Sequence, residues 1–383
     1  MAYKKFSADQ LFDGEQMVAE NQVLIMDNNG VVEAIVPATD AGEGVQHFSG
    51  VLSPGFINCH CHLELSHMKG AIAEKTGLIN FVYDIIRLRH FSEDEIQDAI
   101  ALADDEMTRN GIVAVGDICN NALTLQQKIT SSLYYQNFVE ASGFTAVVAE
   151  ERFQRALQIR QAFSSHSLPA SIVPHAPYSV SEVLWEKIIH LDGNDLLTIH
   201  NQETIPENEL FLERKGDFLS FYEKMKIDIS GFIASGKTSV QTFLPRFLQE
   251  QQVILVHNVY TSAEDIRVSK TAGMPQLYWC LCPNANLYIT GQLPDISLLM
   301  RENCSLVFGT DSLASNHQLS VLQELKTVRT HFPEIPIESL FNWATLNGAK
   351  ALRIQDRFGS FEKGKTPGVV LCKEDLSQCD RLL

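Results

Sequence analysis

Short apolar runs alternate along most of the chain with longer stretches whose apolar residues recur every three or four positions, the pattern of repeated βα units. The candidate strands are Gly55 to Asn58, Val113 to Val115, Ser171 to Val173, Leu196 to Ile199, Val253 to Val256 and Ser305 to Phe308. Among the helical stretches Ser92 to Asn110 is the clearest. Ser92 stands as N-cap with acidic residues behind it, Ile96, Ile100, Ala103 and Met107 share a face, and Gly111 ends the pattern. Both ends of the chain read differently. Val23 to Pro37 is two apolar strands around the turn signal Asp27-Asn28-Asn29-Gly30, a hairpin. Near the other end, GSFEKGKTPGVVLCKEDL reads as a turn followed by a short strand. The expected fold class is α/β: a barrel of βα units over residues 54–356, and a small β-domain made from residues 1–53 together with 357–383.

Composition narrows the function. A chain of 383 residues, 45% hydrophobic with 21 Phe, can bury a large core, and nothing in it suggests disorder. The formal charge is −17 and no Lys/Arg cluster offers a footprint for phosphates, which argues against nucleic acid polymers and anionic membranes and for a small substrate. The first residues, MAYKKFSADQLFDGEQ, lack the apolar segment of a secretory signal, and no run of about 18 uncharged apolar residues is present, so a cytoplasmic location is expected. The eight Cys are scattered and read as reduced, buried filler.

Polar residues stand where several candidate strands end, and barrel enzymes keep their chemistry at the C-terminal ends of strands. In PGFINCHCHLE, His60 and His62 are two residues apart, so in an extended chain both rings face one side while Cys59 and Cys61 face the other, a geometry that suits two ligands of one metal ion. His200 follows the run LLTI, with Glu203 three residues on; by itself Glu203 reads equally as a proton carrier or as a charged residue opening a helix. His257 closes VILVH, and Asp311 follows SLVFGT, where an acid is costly to bury unless it is paired or bound to metal. Asp117 occupies a similar place, and His175 lies between two prolines that could simply shape a rigid loop. His47, His90, His166, His190 and His331 sit in polar or helical contexts and read as ordinary; His67 and His317 lie near the motifs without reading as ligands. Other signatures are missing. No P-C-x-x-C follows His62-Leu63-Glu64, and there is no H-E-x-x-H, G-x-S-x-G or phosphate-binding G-x-x-x-x-G-K-[ST].

With these blocks in view, the chain resembles the amidohydrolase superfamily, in its branch of cytosine-deaminase-like and chlorohydrolase-like aminohydrolases. PGFINCHCHLE is similar to the first barrel strand of that family, PHAPYSVS to the loop after the fourth, HNQET to the fifth, LVHNVYTSAEDI to the sixth, CPNANLYI to the seventh and FGTDSLASNHQLSVLQELK to the eighth. HLE followed by Ser66 is similar to aminodeoxyfutalosine deaminases, and the HNQET and HAPYSVS blocks to S-adenosylhomocysteine and methylthioadenosine deaminases, although LELSHMKGAIAEK departs from the latter. The resemblance implies a distorted (β/α)8 barrel with a small β-sandwich formed from both termini, in which His60, His62, His200 and Asp311 bind one divalent ion, Zn²⁺ or Fe²⁺. It implies further that Glu203 shuttles protons, that His257 and Asp311 orient the nucleophile, and that Glu64, His175 and Asn286 contact substrate. No Lys stands near Phe138 to Ala141, where relatives with two ions carry a bridging group, so a single ion is expected.

The implied activity is hydrolytic deamination of an aminated purine nucleoside or related N-heterocycle by hydroxide generated at the metal. The same site could instead cleave a carbon–chlorine or amide bond, because loops choose the electrophile. A barrel that only binds would have no need of all four ligands beside Glu203 and His257. Homo-oligomers are common in the resembled family, but no residue pattern sets a subunit number.

Overall fold

The computed structural model describes residues 3–271 and 273–383. Eight parallel strands form the barrel: β5 (Phe56–Cys61), β6 (Ile112–Cys119), β7 (Tyr134–Ala141), β8 (Ala170–Pro174), β9 (Leu196–Asn201), β10 (Gln252–His257), β11 (Gln276–Leu281) and β12 (Leu306–Phe308). They pair in two runs, β5-β6-β7-β8 and β12-β11-β10-β9. The runs meet at two seams. At one, the His60 carbonyl accepts from the amides of Thr310 and Asp311, both at 3.0 Å; at the other, the His200 amide donates to the His175 carbonyl at 3.1 Å. Residues of the metal motif therefore also close the barrel. The strands are buried on both faces, as parallel strands wrapped by helices must be.

Each of the six strands expected from apolar runs lies where an observed strand does, often with one or two residues added at an end. The strands β7 and β11 were not among them. In β7, Gln136, Asn137 and Glu140 interrupt the apolar pattern yet are buried, and Asn137 pairs its side-chain amide with the Pro169 carbonyl at 2.9 Å. The helix Glu93–Arg109 begins as expected, with Ser92 and Glu95 exchanging hydrogen bonds in a capping box.

Strands from both ends of the chain share one six-stranded sheet, β14-β13-β4-β1-β2-β3, formed by β1 (Tyr3–Leu11), β2 (Gln22–Asp27), β3 (Val32–Pro37), β4 (Val45–Ser53), β13 (Val370–Cys372) and β14 (Cys379–Arg381). The expected hairpin is the antiparallel pair β2–β3, turning through Gly30 at φ +79°. β4 runs antiparallel to β13 and hands the chain to β5 through Gly55, where a Cβ would stand 2.2 Å from a Val113 methyl and 2.8 Å from the Pro367 carbonyl oxygen. Only glycine lets the two bodies approach so closely there. Among the described residues, no helix is long and apolar enough to cross a membrane.

Candidate active site

The ends of β5, β9 and β10, and the loop after β12, bring His60, His62, His200, His257 and Asp311 into one buried cluster. The extended backbone stops at Cys61, and His62 begins the turn that leads into the short helix Leu63–Met68. The His60 ring centre lies 4.9 Å from those of both His62 and His200, and 5.9 Å from that of His257. Asp311 Oδ1 sits 3.5 Å from His60 Nε2 and 3.4 Å from His62 Nε2. One donor nitrogen from each of His60, His62 and His200 lies within 4.8 Å of the others.

Unmet hydrogen-bonding capacity shows that this cluster suits a divalent ion. Both ring nitrogens of His60 and Nδ1 of His62 are buried with no protein partner. Each such atom costs about 1–3 kcal/mol when left unpaired, a cost that ligation offsets. His200 Nδ1 donates to the His175 carbonyl at 2.8 Å, which leaves the Nε2 lone pair facing the cluster. Burial drives His62 and His257 well below the ordinary His range, and burial with the neighbouring imidazoles brings His200 to about 4, so these rings are neutral and able to ligate. Burial opposes charge on Asp311, but its contact with His60 outweighs that effect and holds the carboxyl well below its usual range.

A second group of donors, Glu140, His175 and His200, also clusters. His200 approaches Glu140 through Nδ1, at 3.6 Å, the nitrogen already committed to the His175 carbonyl. This group therefore lacks a third free donor and acts as a hydrogen-bonding wall. Glu64 and Glu140 are both buried and are bridged by Asn120, whose amide donates to Glu64 and whose side chain donates to Glu140, each at 3.0 Å. His175 Nδ1 is engaged by the Ser179 hydroxyl at 2.8 Å.

Glu203, at 3% exposure, stands 3.7 Å from His257 Nε2, and burial together with Asp311 and Glu207 raises its carboxyl well above the ordinary Glu range. It is placed by Glu207, which accepts from the amides of Gln202 (2.9 Å) and Glu203 (3.3 Å) and so holds the turn in which Gln202 has φ +45°. His257 and Asp311 are likewise left-handed, at φ +75° and +56°. Conformations of this kind cost non-glycine residues about 1–3 kcal/mol each and gather at functional sites. No apolar pattern announces them, and Glu207, Glu140 and Asn120 carry no spacing signal that would have marked them. Asn286 donates its side-chain amide to His257 Nδ1 at 3.0 Å, while its Oδ1 has no protein partner.

The other histidines lie elsewhere. His67 meets the Arg89 carbonyl, His317 pairs with Glu74 at 3.3 Å on the surface, and His166 and His331 bond to carbonyls of their own helices. All eight Cys are unpaired thiols.

Two neighbours support the cluster closely enough to test. A Cβ at Gly309 would stand 2.7 Å from the His60 Cβ and about 3 Å from the Cys280 and Cys282 sulfurs. Gly309→Ala is expected to displace the His60 ring and weaken metal affinity by about 10- to 100-fold, read by competition with a chelator; unchanged affinity would show that packing does not set the ring. Glu324 accepts from the Asn284 amide and from the Asn316 side chain, both at 2.9 Å, and burial pushes its carboxyl up to about 8. The folded chain then keeps a proton that the unfolded chain releases near the ordinary Glu value of about 4.3, so this group makes stability fall as pH rises toward 8. Glu324→Gln lowers overall stability but should flatten the decline in denaturant midpoint between about pH 6 and about pH 8. Equal slopes for the two proteins would contradict this.

The model of the Amidohydrolase family matches residues 51–380. A 5-methylthioadenosine/S-adenosylhomocysteine deaminase of Teredinibacter turnerae is 27% identical over 84% of this chain and 71% of its own. An adenosine deaminase of Helicobacter pylori is 27% identical over 83% of this chain and 77% of its own. The crystal structure of Helicobacter pylori aminofutalosine deaminase in complex with methylthio-coformycin superposes with a TM-score of 0.84 at 22% identity, covering 99% of this chain and 97% of that one.

Proposed function

The chain belongs to the amidohydrolase family, and from that premise we propose that it is a metal-dependent hydrolytic deaminase of an aminated purine nucleoside or related N-heterocycle. One observation carries the reading: three buried His donors converge, with Asp311 3.5 Å from His60 and 3.4 Å from His62, beside a buried acid, Glu203, at the C-terminal mouth of the barrel. The relatives at 27% identity are named as deaminases of adenine nucleosides, which favours the same substrate class here.

His60, His62, His200 and Asp311 would hold one ion, with Zn²⁺ or Fe²⁺ fitting the nitrogen and oxygen donors. Such an ion, when bound, supplies a water acidified toward neutrality. Asp311, kept ionised, takes a hydrogen bond from the attacking water and aims it at the amino-bearing ring carbon. Glu203 is protonated in the resting site because burial, Asp311 and Glu207 disfavour its charge. It gives that proton to the adjacent ring nitrogen as the carbon–oxygen bond forms. It then takes a proton from the added oxygen and passes it to the amine, which leaves as ammonia, and as the ring carbonyl forms the second proton of the added water returns to Glu203 and restores the acid. Glu64, Glu140 and His175 form the wall against which the rest of the substrate is oriented.

The test is ammonia release by the metal-loaded chain from aminodeoxyfutalosine, adenosine, S-adenosylhomocysteine, methylthioadenosine, guanine and cytosine, with metal content measured on the same sample. Release from an adenine-containing compound, at about one ion per chain, is expected. Silence across the panel with metal present moves the reading to another leaving group, and failure to bind metal overturns it.

A further inference from the structure

The two ring nitrogens of His257 face different partners. Nδ1 accepts the Asn286 side-chain amide at 3.0 Å, and Nε2 looks toward Glu203 at 3.7 Å. A nitrogen that accepts a hydrogen bond carries no proton, so a neutral His257 in this arrangement carries its proton on Nε2. We propose that Asn286 is a positioning residue that fixes the tautomer of His257, so that the ring offers the reacting centre a hydrogen-bond donor and not a base. This deepens the deaminase reading and rests on it for the part that concerns turnover.

The surroundings hold both partners in place. His257 and Asn258 are consecutive left-handed residues, at φ +75° and +60°. Asn258 pins that backbone by donating to the Leu255 carbonyl at 2.9 Å and the Cys280 carbonyl at 3.1 Å, and by accepting from Asn201 at 2.9 Å. Asn286 is buried within the helix Pro283–Ile289, and Glu324 fixes the start of that helix through the Asn284 amide. Rotating the imidazole or withdrawing the amide would disturb one of these anchors, so ring and amide meet in one geometry. A donor at Nε2 orients a lone pair of the attacking oxygen. The opposite tautomer would present a lone pair there and attract the Glu203 acid proton, taking it away from the substrate.

The tautomer can be read directly. In ¹⁵N-histidine-labelled, zinc-loaded protein, the His257 resonances should show a proton on Nε2 and a bare, accepting Nδ1. Asn286→Asp replaces the donor with an acceptor and should move the proton to Nδ1, lowering kcat by about 10- to 100-fold with metal content and KM little changed. Asn286→Ala should lose the fixed assignment and give an intermediate kcat. A wild-type proton on Nδ1 overturns the proposal without any variant having to fold. So does an Asn286→Asp protein with the wild-type spectrum and wild-type kcat. The spectrum decides the tautomer whether or not any compound in the panel is turned over, so failure of the deaminase reading is scored separately by ammonia release.

Discussion

Replacing Glu203 by Gln is expected to lower kcat by about 10²–10⁴-fold while the metal content per chain stays at the wild-type value. Gln has the shape of the protonated acid that burial favours at this position, so the cavity, the Glu207 anchor and the neighbouring His257 all keep a neutral partner. What Gln lacks is a proton that it can give to a ring nitrogen and later regain. The deficit should therefore fall on kcat and leave KM nearly unchanged, the signature of an interaction made in the transition state. Metal content is the control, because Glu203 lies outside the trio of converging His donors. A variant with wild-type turnover would remove Glu203 from proton transfer. A variant that loses its metal would make the residue structural.

Most of the fold was legible because burial on both faces writes parallel strands as uninterrupted apolar runs, and because turns and caps are local. The hairpin through Gly30 and the Ser92–Glu95 cap depend on a few adjacent residues and stand where the pattern places them. The strand β7 was hidden because its polar residues are satisfied by partners distant in sequence: Gln136 by Ser171 at 3.4 Å and Asn137 by Pro169. The same distinction separates the site residues. His60, His62, His200, His257 and Asp311 follow apolar runs and could be picked out one by one, whereas Glu140, Glu207, Asn120 and Asn258 act through hydrogen bonds that leave no period in the sequence. The left-handed backbones of His257 and Asp311 are also beyond local reading, since non-glycine residues adopt them only when surrounding structure imposes the cost.

The largest hidden element is Lys128. It begins as an unremarkable residue on the helix Leu125–Thr130, yet its side chain is fully buried and its ammonium is paired with the fully buried carboxylate of Asp117. Nζ also donates to Asn137 Oδ1 at 2.7 Å and to the Cys119 sulfur at 3.2 Å, while the rings of Tyr135 and Phe163 lie about 5 Å away. Burial works against the charge on Lys128, but Asp117 outweighs it and raises the ammonium above its ordinary value, so Lys128 keeps its charge in the core. Removing one of them leaves the other charged, desolvated and alone. Lys128→Met is accordingly expected to cost about 3–5 kcal/mol in urea unfolding, whereas Lys128→Met combined with Asp117→Asn should recover part of the loss, because the orphaned charge is gone. The consequence extends to the metal cluster: the other oxygen of Asp117 accepts the Leu63 amide at 2.8 Å, immediately after His62. Metal affinity should therefore fall in Lys128→Met, as an unpaired carboxylate pulls away toward water and takes that amide with it. A Lys128→Met protein within about 1 kcal/mol of wild type, the scale of an exposed ion pair, would show that the ammonium is not an essential counter-charge in the core.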